Sequence, residues 1–567
     1  MEDNTLLTVK DLKIEGFQGG QWSQFVHGIS FSLKKGEVLG LIGESGAGKS
    51  TIGLATMGYY RAGCRNCGGE ITLAGQTVTA MEPAEKRRLR GDRASYVAQS
   101  AAASFNPSHR LISQFSEVPV LRGLMSRDQA KERAVGLYRK LMLPKPETIG
   151  FRYPHQVSGG QLQRAMTAMA MGPNPEIIVF DEPTTALDVT TQIEVLLSIK
   201  QAIKDHGTAA IYITHDLAVV AQVADRIMVL RHGRMVEEGD TREMIANPKE
   251  EYTRDLLNVR SAWKDKARPG DPGDPVIEVK DLSGGYAKNK DILRDINLRV
   301  TRGRTLAVVG ESGSGKSTLA RAIVGLLPRF KGEVVFDGQT LPGKYRHRDR
   351  ELLRKVQMIY QIPDVALNPR QKLRTIIGHP LKVFFNMEAA RREERVKELL
   401  EMVELPAAYI DRLPRELSGG EKQRVCIARA LAAEPEVIIC DEVTSALDQL
   451  IGKQVLDMLQ SLQEKMNITY IYITHDLDTV RTIADEVAVM HLGRIVEAGD
   501  RESIFTPPHH EYTELLLSSV PRMDPDWMEN VIARRAEAGA PDASEPDTLE
   551  PGSSEPGSSE PGVSTPA

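Results

Sequence analysis

Residues 43–51 read GESGAGKST and residues 310–318 read GESGSGKST, each directly after a short apolar run. Both match G-x4-G-K-[ST], a loop whose glycines let backbone N–H groups converge on phosphate oxygens. The lysine of such a loop reaches the β/γ-phosphates and the serine hydroxyl contacts Mg²⁺. We therefore predict two phosphate-binding loops, made by Gly43, Gly46, Gly48, Lys49, Ser50 and Thr51, and by Gly310, Gly313, Gly315, Lys316, Ser317 and Thr318.

Three further motifs follow each loop in the same order. The pairs are SGGQ (158–161) with SGGE (418–421), Asp181-Glu182 with Asp441-Glu442, and THD (214–216) with THD (474–476). Members of each of these pairs are 260 residues apart, whereas the two loop lysines are 267 apart. A shared period of this length indicates two duplicated domains rather than a short solenoid repeat.

Composition divides the chain into four predicted parts. Residues 1–260 form the first domain and residues 276–521 the second, each with a C-terminal extension. Between them, residues 261–275 (SAWKDKARPGDPGDP) have the composition of a flexible linker. Residues 522–567 form a C-terminal tail, and its Pro/Ser/Gly-rich, acidic part from about residue 540 is predicted to be disordered.

The apolar runs predict the fold class. EVLGLI (37–42), EIIVF (176–180) and AAIYIT (209–214) are continuous rather than alternating, and each has a counterpart in the second half. Continuous apolar strands are typical of parallel sheets covered on both faces. Helical stretches such as LLSIKQAIKD (196–205) separate them. Each half is therefore predicted to be α/β, with a mostly parallel sheet and an antiparallel portion from its N-terminal strands.

Charge and hydropathy limit the kinds of partner that we expect the chain to bind. The 72 Lys and Arg residues are balanced by 77 Asp and Glu, giving a net charge of −5. This balance lacks the basic excess of dedicated nucleic-acid binders, so no nucleic-acid partner is expected. No apolar run approaches the roughly 20 residues that span a bilayer. The first residues, MEDNTLLTVKD, lack signal-peptide features, so we expect a cytosolic protein that meets the membrane only through partners.

Two of the four cysteines lie close together, in the sequence CRNC at residues 64–67. A closed metal site needs two more ligands, and Cys426 and Cys440 are isolated in the second half. We therefore predict that Cys64 and Cys67 lie in a surface turn in a reducing compartment.

The acidic pairs and histidines carry hydrolytic chemistry. Asp181 and Asp441 end apolar strands, where a carboxylate can hold the Mg²⁺ shell. The carboxylates that follow them, Glu182 and Glu442, suit orienting or deprotonating an attacking water. His215 and His475 end the next strand and can donate to a γ-phosphate. These four residues, Glu182, Glu442, His215 and His475, are the predicted catalytic groups.

The SGG segments offer a second anion site in each half, because a serine hydroxyl, glycine N–H groups and a helix start occur together. With this combination the chain resembles the ATP-binding cassette (ABC) family over nearly its whole length, except the linker and tail. The resemblance implies two tandem ABC-type domains, each with a helical subdomain that carries the SGG signature. ATP and Mg²⁺ are the implied cofactors.

The resemblance further implies that the signature of one half closes over the ATP held by the other. Site one combines Lys49, Ser50, Gln99, Asp181, Glu182 and His215 with Ser418, Gly419 and Gly420. Site two combines Lys316, Ser317, Gln361, Asp441, Glu442 and His475 with Ser158, Gly159 and Gly160. The implied metal-site residues are Ser50, Gln99, Asp181, Ser317, Gln361 and Asp441. Tyr286 matches the family's adenine-stacking aromatic; in the first half Phe17 and Trp22 remain alternatives.

Two further features resemble the dipeptide/oligopeptide/nickel importer branch: ASFNPSHRL (103–111) with ALNPRQKL (366–373), and NPKEEYTRDLL (247–257) with PPHHEYTELLL (507–517). The resemblance implies an ATPase subunit at the cytoplasmic face of the inner membrane. Its partners are two transmembrane permease subunits and, through them, a periplasmic substrate-binding protein. The alternative is a soluble tandem ABC protein acting on ribosomes or in a cytosolic complex. The transported solute, whether peptide, nickel or opine, stays open.

Overall fold

The computed structural model describes residues 4–184, 187, 189–258, 273–286, 291–327, 329–445 and 447–537. Met1–Met528 form one compact unit that contains both halves, and Glu529–Ala567 form a second, short unit. The predicted linker up to residue 272 and the predicted disordered stretch from about residue 540 lie outside the described residues. Along the part of the chain that is described, no helix has the length and apolar character needed to cross a membrane.

The first half contains ten strands and eleven α-helices within its described residues. The strands are β1 Thr5–Gln18, β2 Gln21–Lys34, β3 Val38–Gly43, β4 Cys64–Leu73, β5 Gln76–Thr77, β6 Ala94–Val97, β7 Ile177–Asp181, β8 Ala209–Ile213, β9 Arg226–Arg231 and β10 Arg234–Asp240. The helices are α1 Lys49–Thr56, α2 Pro83–Asp92, α3 Ala101–Ser104, α4 Leu111–Leu121, α5 Arg127–Lys140, α6 Pro146–Ile149, α7 Gly159–Met171, α8 Val189–His206, α9 Leu217–Val223, α10 Thr241–Ala246 and α11 Glu251–Asn258.

The second half repeats this order with two differences: a 3-10 helix, Ala407–Asp411, stands where the first half has α6, and one more α-helix follows at the end. Its strands are β11 Pro275–Gly285, β12 Leu293–Thr301, β13 Thr305–Val309, β14 Arg329–Phe336, β15 Gln339–Thr340, β16 Val356–Ile359, β17 Val437–Asp441, β18 Thr469–Ile473, β19 Glu486–His491 and β20 Arg494–Asp500. Its helices are α12 Lys316–Ile323, α13 Arg350–Lys355, α14 Pro363–Ala366, α15 Leu373–Phe385, α16 Ala389–Met402, α17 Gly419–Leu431, α18 Gln449–Met466, α19 Leu477–Ile483, α20 Arg501–Phe505, α21 Glu511–Ser518 and α22 Trp527–Glu537.

Each half has one six-stranded and one four-stranded sheet. The larger sheets have the orders β10-β9-β3-β8-β7-β6 and β16-β17-β18-β13-β19-β20 and are parallel except for β10 and β20. The smaller sheets, β2-β1-β4-β5 and β12-β11-β14-β15, are antiparallel. The strands that lead into the phosphate-binding loops, β3 and β13, are internal and fully buried. The predicted α/β fold with an antiparallel portion is therefore confirmed.

A helical subdomain is inserted before the SGG motif in each half, as the resemblance implied. In the second half α15, α16 and α17 share a core that includes Ile377, Val396 and Leu399. The signature helix α7 starts with a capping box, in which Ser158 Oγ accepts from the N–H of Gln161 at 3.3 Å and Gln161 Oε1 accepts from the N–H of Ser158. This reciprocal bonding satisfies otherwise unpaired N–H groups at the helix start. Ser418 and Glu421 do the same for α17.

One sequence-based expectation differs from the structure, and one helix was not foreseen. Cys64 and Cys67 lie on strand β4, where Cys64 pairs with Gly16 of β1, so the predicted surface turn is wrong. The strand extends to this point because β1 and β2 form a long hairpin whose edge β4 continues to pair. The predicted tail contains helix α22, which the composition did not indicate.

Candidate active site

The phosphate-binding loops turn at the carboxyl ends of β3 and β13. Gly43 has a φ of 141°, and a Cβ on it would lie 2.0 Å from the carbonyl oxygen of Leu230, so only glycine fits. Gly46 has a φ of 83°, and a Cβ there would meet nothing within 4 Å. The loop is therefore closely packed at its base and open toward the side where a phosphate would lie.

The loop lysines are buried and bonded to their own loops. Lys49 Nζ donates to the carbonyl oxygens of Gly43 at 2.6 Å and Glu44 at 3.0 Å. Lys316 Nζ donates to the carbonyl oxygens of Gly310 at 2.8 Å and Glu311 at 2.7 Å. Burial lowers the pKa of Lys49, against the opposing charges of Glu182 and other nearby carboxylates. Phosphate oxygens would give this desolvated ammonium stronger acceptors than the carbonyls it now uses.

Each loop serine contacts the strand-end aspartate. Ser50 Oγ donates to Asp181 Oδ1 at 2.7 Å, and Ser317 Oγ donates to Asp441 Oδ1 at 2.9 Å. Burial raises the pKa of Asp441, against the hydrogen bond from Ser317. A hydroxyl and a carboxylate held together in this way are hard oxygen donors of the kind that Mg²⁺ prefers. The donor set therefore fits the implied metal.

The glutamates that we predict to be catalytic have an unusual backbone conformation. Glu182 and Glu442 adopt left-handed φ values of 49° and 50°, which non-glycine residues rarely occupy outside strained, often functional positions. Gln99 Nε2 donates to Glu182 Oε2 at 2.8 Å, and Gln361 Nε2 donates to Glu442 Oε2 at 2.6 Å. The structure thus brings the predicted glutamine and glutamate together in both halves.

Each histidine contacts the carboxylate oxygen of the glutamate that the glutamine does not contact. His215 Nδ1 is 3.0 Å from Glu182 Oε1, and His475 Nδ1 is 3.3 Å from Glu442 Oε1. Burial favours the neutral imidazole, but hydrogen bonding and charge from the glutamate outweigh it, so the pKa of each histidine is raised. Burial likewise works to raise the pKa of Glu442, but the bond from His475 prevails and lowers it. The structure therefore holds each glutamate between a glutamine and a histidine.

The two aspartates have different surroundings. Tyr96 on β6 donates its hydroxyl to Asp181 Oδ2 at 2.6 Å, and Arg61 Nη2 lies 3.8 Å from the same oxygen. The position equivalent to Tyr96 on β16 is Met358, which has no hydroxyl to donate. The sequence analysis missed Tyr96; the signal was a polar aromatic three residues before Gln99 in one half only.

Both loops open into one cavity of about 1030 Å³ between the halves. Its lining includes Lys49, Gln99, Asp181, Glu182 and His215 from the first half, and Lys316, Gln361, Glu442 and His475 from the second. Of the predicted site residues that are described, the signature residues Ser158 to Gly160 and Ser418 to Gly420 do not line it. The structure therefore brings the predicted catalytic residues of both halves to one cavity, which neither signature lines.

Two polar contacts join the halves beside this cavity. The N–H of Ser45 donates to Asp448 Oδ2 at 3.4 Å, and Thr190 Oγ1 donates to Glu311 Oε1 at 2.7 Å. Each contact joins a phosphate-binding loop of one half to the segment after the acidic pair of the other. The loops therefore already face the opposite half.

The predicted stacking aromatics lie at the edge of the site. Phe17 and Trp22 pack on each other with ring centroids 5.3 Å apart, and the guanidinium of Arg65 covers Trp22 at 4.0 Å. Tyr286 is half-exposed, and its hydroxyl accepts from Arg321 Nη1 at 2.7 Å. Among the described residues, none of these three aromatics lines the cavity.

Phe25 on β2 does line the cavity, and the sequence analysis missed it. Strand pairing places Gly16 where the second half has Tyr286, and Phe25 where it has Ile292. The matching pairs are Ile14 with Val26 and Gly284 with Leu293. A Cβ on Gly16 would lie 3.3 Å from Phe25 Cε1, so the Phe25 ring lies close to the position of the missing side chain. The signal was that the aromatic residue changes position between the halves: Gly16 and Phe25 in the first correspond to Tyr286 and Ile292 in the second.

The glycines of each signature differ in role. A Cβ on Gly160 would lie 2.2 Å from Thr191 Cγ2, and one on Gly420 would lie 2.6 Å from Ile451 Cγ2. A Cβ on Gly159 or Gly419 would meet nothing within 4 Å. The second glycine therefore allows close helix packing, whereas the first leaves an open surface at the helix start.

Two phosphate-binding loops, two strand-end carboxylate pairs and two histidines define a tandem P-loop ATPase. A sequence profile described as ABC transporter matches residues 26–185 and 293–445. The profile of the oligopeptide/dipeptide transporter C-terminal region matches residues 496–546. The chain belongs to the ABC transporter family, and as a member it is an ATPase. The resemblance to this family and to its oligopeptide/dipeptide branch is confirmed.

Among similar proteins, the glutathione import ATP-binding proteins GsiA of Shigella dysenteriae serotype 1 and Escherichia coli strain K12 are each 37% identical to this chain. That of Salmonella typhimurium strain LT2 is 36% identical. Each alignment covers 93% of this chain and 91% of the relative. The likeness therefore extends over both halves and is not confined to one cassette.

Solved structures of single cassettes are similar as well. The cbiO1 protein of Clostridium perfringens, part of the transporter complex cbiONQ, is 29% identical, with a TM-score of 0.38, and the match covers 41% of this chain and 91% of that one. The dimeric bacterial ABC transporter cassette MJ0796 is also 29% identical, with a TM-score of 0.36 and coverage of 40% and 98%. The family assignment rests on the sequence matches.

Proposed function

We propose that this protein is the ATP-hydrolysing subunit of a bacterial ABC importer that takes up peptides or a related small solute. The match at residues 496–546 to the oligopeptide/dipeptide C-terminal region carries the proposal, and the full-length relatives named for glutathione import support it. Glutathione is itself a tripeptide, so the two observations point to the same chemical class. They also favour transport over a tandem protein that acts on ribosomes.

ATP is bound in each half by groups that are already positioned. Lys49 and Lys316 exchange their loop carbonyls for β/γ-phosphate oxygens. Mg²⁺ would be held in the first half by Ser50, Asp181 and Gln99, and in the second half by Ser317, Asp441 and Gln361. It would supply neutralisation of the charge on the phosphates. Burial of the two aspartates favours a compact cation over water as their partner.

Hydrolysis requires a water directed at the γ-phosphate. Glu182 and Glu442 are carboxylates placed by left-handed backbone and by two side-chain contacts each, which suits a general base. His215 and His475 line the cavity and serve as hydrogen-bond donors to the γ-phosphate. Because both halves retain the complete set, both sites hydrolyse ATP.

Each site is completed by the signature of the other half. The open surface beside Gly159 and Gly419, at the start of a capped helix, suits a phosphate oxygen. The signatures do not line the cavity in this structure, so ATP binding moves each helical subdomain over the opposite loop. The polar contacts that Ser45 and Glu311 make across the cavity support this direction of movement.

The adenine is stacked by Tyr286 at the second loop. At the first loop Phe25 takes this role in place of Phe17 or Trp22, because it lines the cavity and lies against the glycine that replaces tyrosine. An aromatic face contributes about 1–3 kcal/mol per stacked base.

The transmembrane partners dock on the helical subdomains. Ile362 and Val365 follow Gln361 directly and are exposed by 53% and 83%, and Leu121 of the first half is exposed by 80%. Exposed apolar side chains of this size mark interaction surfaces. Two permease subunits, one for each helical subdomain, hold the protein at the cytoplasmic face of the inner membrane. A periplasmic binding protein delivers the solute to them.

The test is reconstitution of the chain with its two permeases in proteoliposomes that enclose ATP. We expect uptake of glutathione or of a short peptide, in the presence of the cognate binding protein, together with increased ATP hydrolysis. Nickel serves as the competing solute, and a chain carrying Glu182→Gln with Glu442→Gln is the inactive control. ATP hydrolysis that no peptide stimulates, or recovery of the chain on ribosomes instead of with permeases, would contradict the proposal.

A further inference from the structure

Residues 519–528 of the second half, named the clasp here, lie against the first half. Their main contact is Gln222 of α9, which is only 2% exposed. Gln222 Nε2 donates to the carbonyl oxygens of Arg522 at 2.7 Å and Asp524 at 2.9 Å, and Gln222 Oε1 accepts from the N–H of Met528 at 3.1 Å. One buried amide thus satisfies three backbone groups located 300 or more residues along the chain.

Side chains of the clasp add to this contact. Arg242 of α10 donates through Nη1 to Asp526 Oδ2 at 2.8 Å, in a two-point pairing of guanidinium and carboxylate. The pair is exposed, so it contributes orientation rather than much binding energy. Trp527 and Met528 are 7% and 1% exposed.

Among the described residues, the groups that receive the clasp have no counterparts in the second half. The positions of the second half that match Gln222 and Arg242 are Thr482 and Glu502. The Thr482 hydroxyl donates to the carbonyl oxygen of Asp478 in its own helix. A glutamate at 502 would repel the carboxylate that Arg242 binds. The first half is therefore specialised to receive this segment.

The clasp begins beside the interface between the halves. Val520 and Pro521 line a cavity of about 170 Å³, together with His215 and His475. The preceding helix, α21, packs against α8 of the first half. The clasp therefore fastens the halves next to the histidines and on the first half's α9, which begins two residues after His215.

We propose that the clasp holds the two halves in a fixed orientation when no nucleotide bridges them, so that ATP closes a hinge instead of pairing free domains. Beside the large cavity the described loops meet through the polar contacts of Ser45 and Thr190, whereas the clasp buries an amide with three hydrogen bonds. A contact that keeps two partners in reach raises their effective concentration for the next contact. Gln222 is a positioning residue in this arrangement, because it touches no part of the nucleotide site.

The test uses the full chain with a protease site inserted in the linker, residues 261–275, and cut after folding. Without nucleotide we expect the two fragments to elute together at low micromolar concentration. Gln222→Leu keeps the side-chain volume but removes all three hydrogen bonds, so the dissociation constant of the fragments should rise at least tenfold. The matched change Thr482→Leu should leave it unchanged.

A charge exchange makes the test independent of folding defects. Arg242→Glu should weaken association, and adding Asp526→Arg should restore it. Fragments that stay equally associated in Gln222→Leu and Arg242→Glu, or that separate with the natural clasp, would overturn the proposal. In chains that also carry Glu182→Gln and Glu442→Gln, ATP should restore association without the clasp. Loss of that restoration would count against the composite sites and not against the clasp.

Discussion

Glu182 and Glu442 combine a costly backbone conformation with complete side-chain bonding, which is the clearest residue-scale sign of catalysis in this protein. Replacing both with glutamine removes the base but keeps the shape. General-base catalysis contributes about 10²–10⁴-fold, so hydrolysis should fall by at least about 100-fold while ATP still binds and the closed state accumulates. Steady-state ATPase and nucleotide binding measure this. Glu434→Gln, at another left-handed glutamate, is the control and should remain active.

The Tyr96 hydroxyl bonds Asp181, whereas the matching residue beside Asp441 is Met358, so the two aspartates have different surroundings. Groups that orient a metal ligand typically change metal affinity by about 10–100-fold when removed. Tyr96→Phe, in a chain whose second loop is disabled by Lys316→Ala, should weaken Mn²⁺ binding about tenfold in an electron paramagnetic resonance titration with ATP. Met358→Leu beside Lys49→Ala is the matched control, with no expected change. If the chain with Tyr96→Phe binds Mn²⁺ as tightly as the same chain with Tyr96, the hydroxyl has no role.

Phe25 distinguishes base recognition from phosphate recognition. With the second loop disabled, Phe25→Ala should weaken ATP binding about tenfold or more, because a stacked base contributes about 1–3 kcal/mol. Inorganic triphosphate has no base and should bind unchanged, as measured by calorimetry. Phe17→Ala and Trp22→Ala are the controls. If one of these weakens ATP binding instead, the stacking residue lies at the tip of the β1–β2 hairpin and is not Phe25.

At the scale of elements, Gly160 and Gly159 separate packing from chemistry within one helix start. Gly160→Ala places a methyl group 2.2 Å from Thr191 Cγ2, and the β-branched threonine has little freedom to move. Overpacking of this kind costs about 1–3 kcal/mol, so the unfolding temperature should fall. Gly159→Ala meets open space and should keep the unfolding temperature but reduce hydrolysis, since the methyl group occupies the proposed phosphate side. Differential scanning calorimetry and ATPase assays compare the two, and equal unfolding temperatures would contradict the packing role.

Among the secondary-structure elements, the sequence predicted the buried strands correctly and missed the placement of one strand. The buried parallel strands were predicted within a residue or two, because continuous apolar runs have few other stable placements. The β4 placement of Cys64 and Cys67 was not, because polar strand residues at the edge of a hairpin carry no apolar pattern. Helix α22 lay within a segment predicted as tail from composition alone.

At the scale of the whole molecule, the proposed composite sites predict effects across the halves. Ser158→Arg should abolish nucleotide trapping at the second loop and leave the first loop active. Ser418→Arg should do the reverse. A photoreactive ATP analogue trapped with vanadate, followed by cutting the linker, shows which half carries the label. Label lost from the mutated half itself would contradict the exchange of signatures between the halves.

The sequence by itself determined the two phosphate-binding loops, their carboxylate pairs, the histidines and the family. Each of these is a contiguous motif, and a loop that binds phosphate with its own backbone depends mainly on residues next to one another. Tertiary structure alone decided that Tyr96 bonds Asp181, that Phe25 lies against Gly16, and that Gln222 holds the clasp. These contacts join residues on different elements, so they depend on strand register and on how the halves pack. Strand register and the packing of the halves cannot be read from local sequence. A shift of one residue in the register of a strand would point each of its side chains to the opposite face of the sheet.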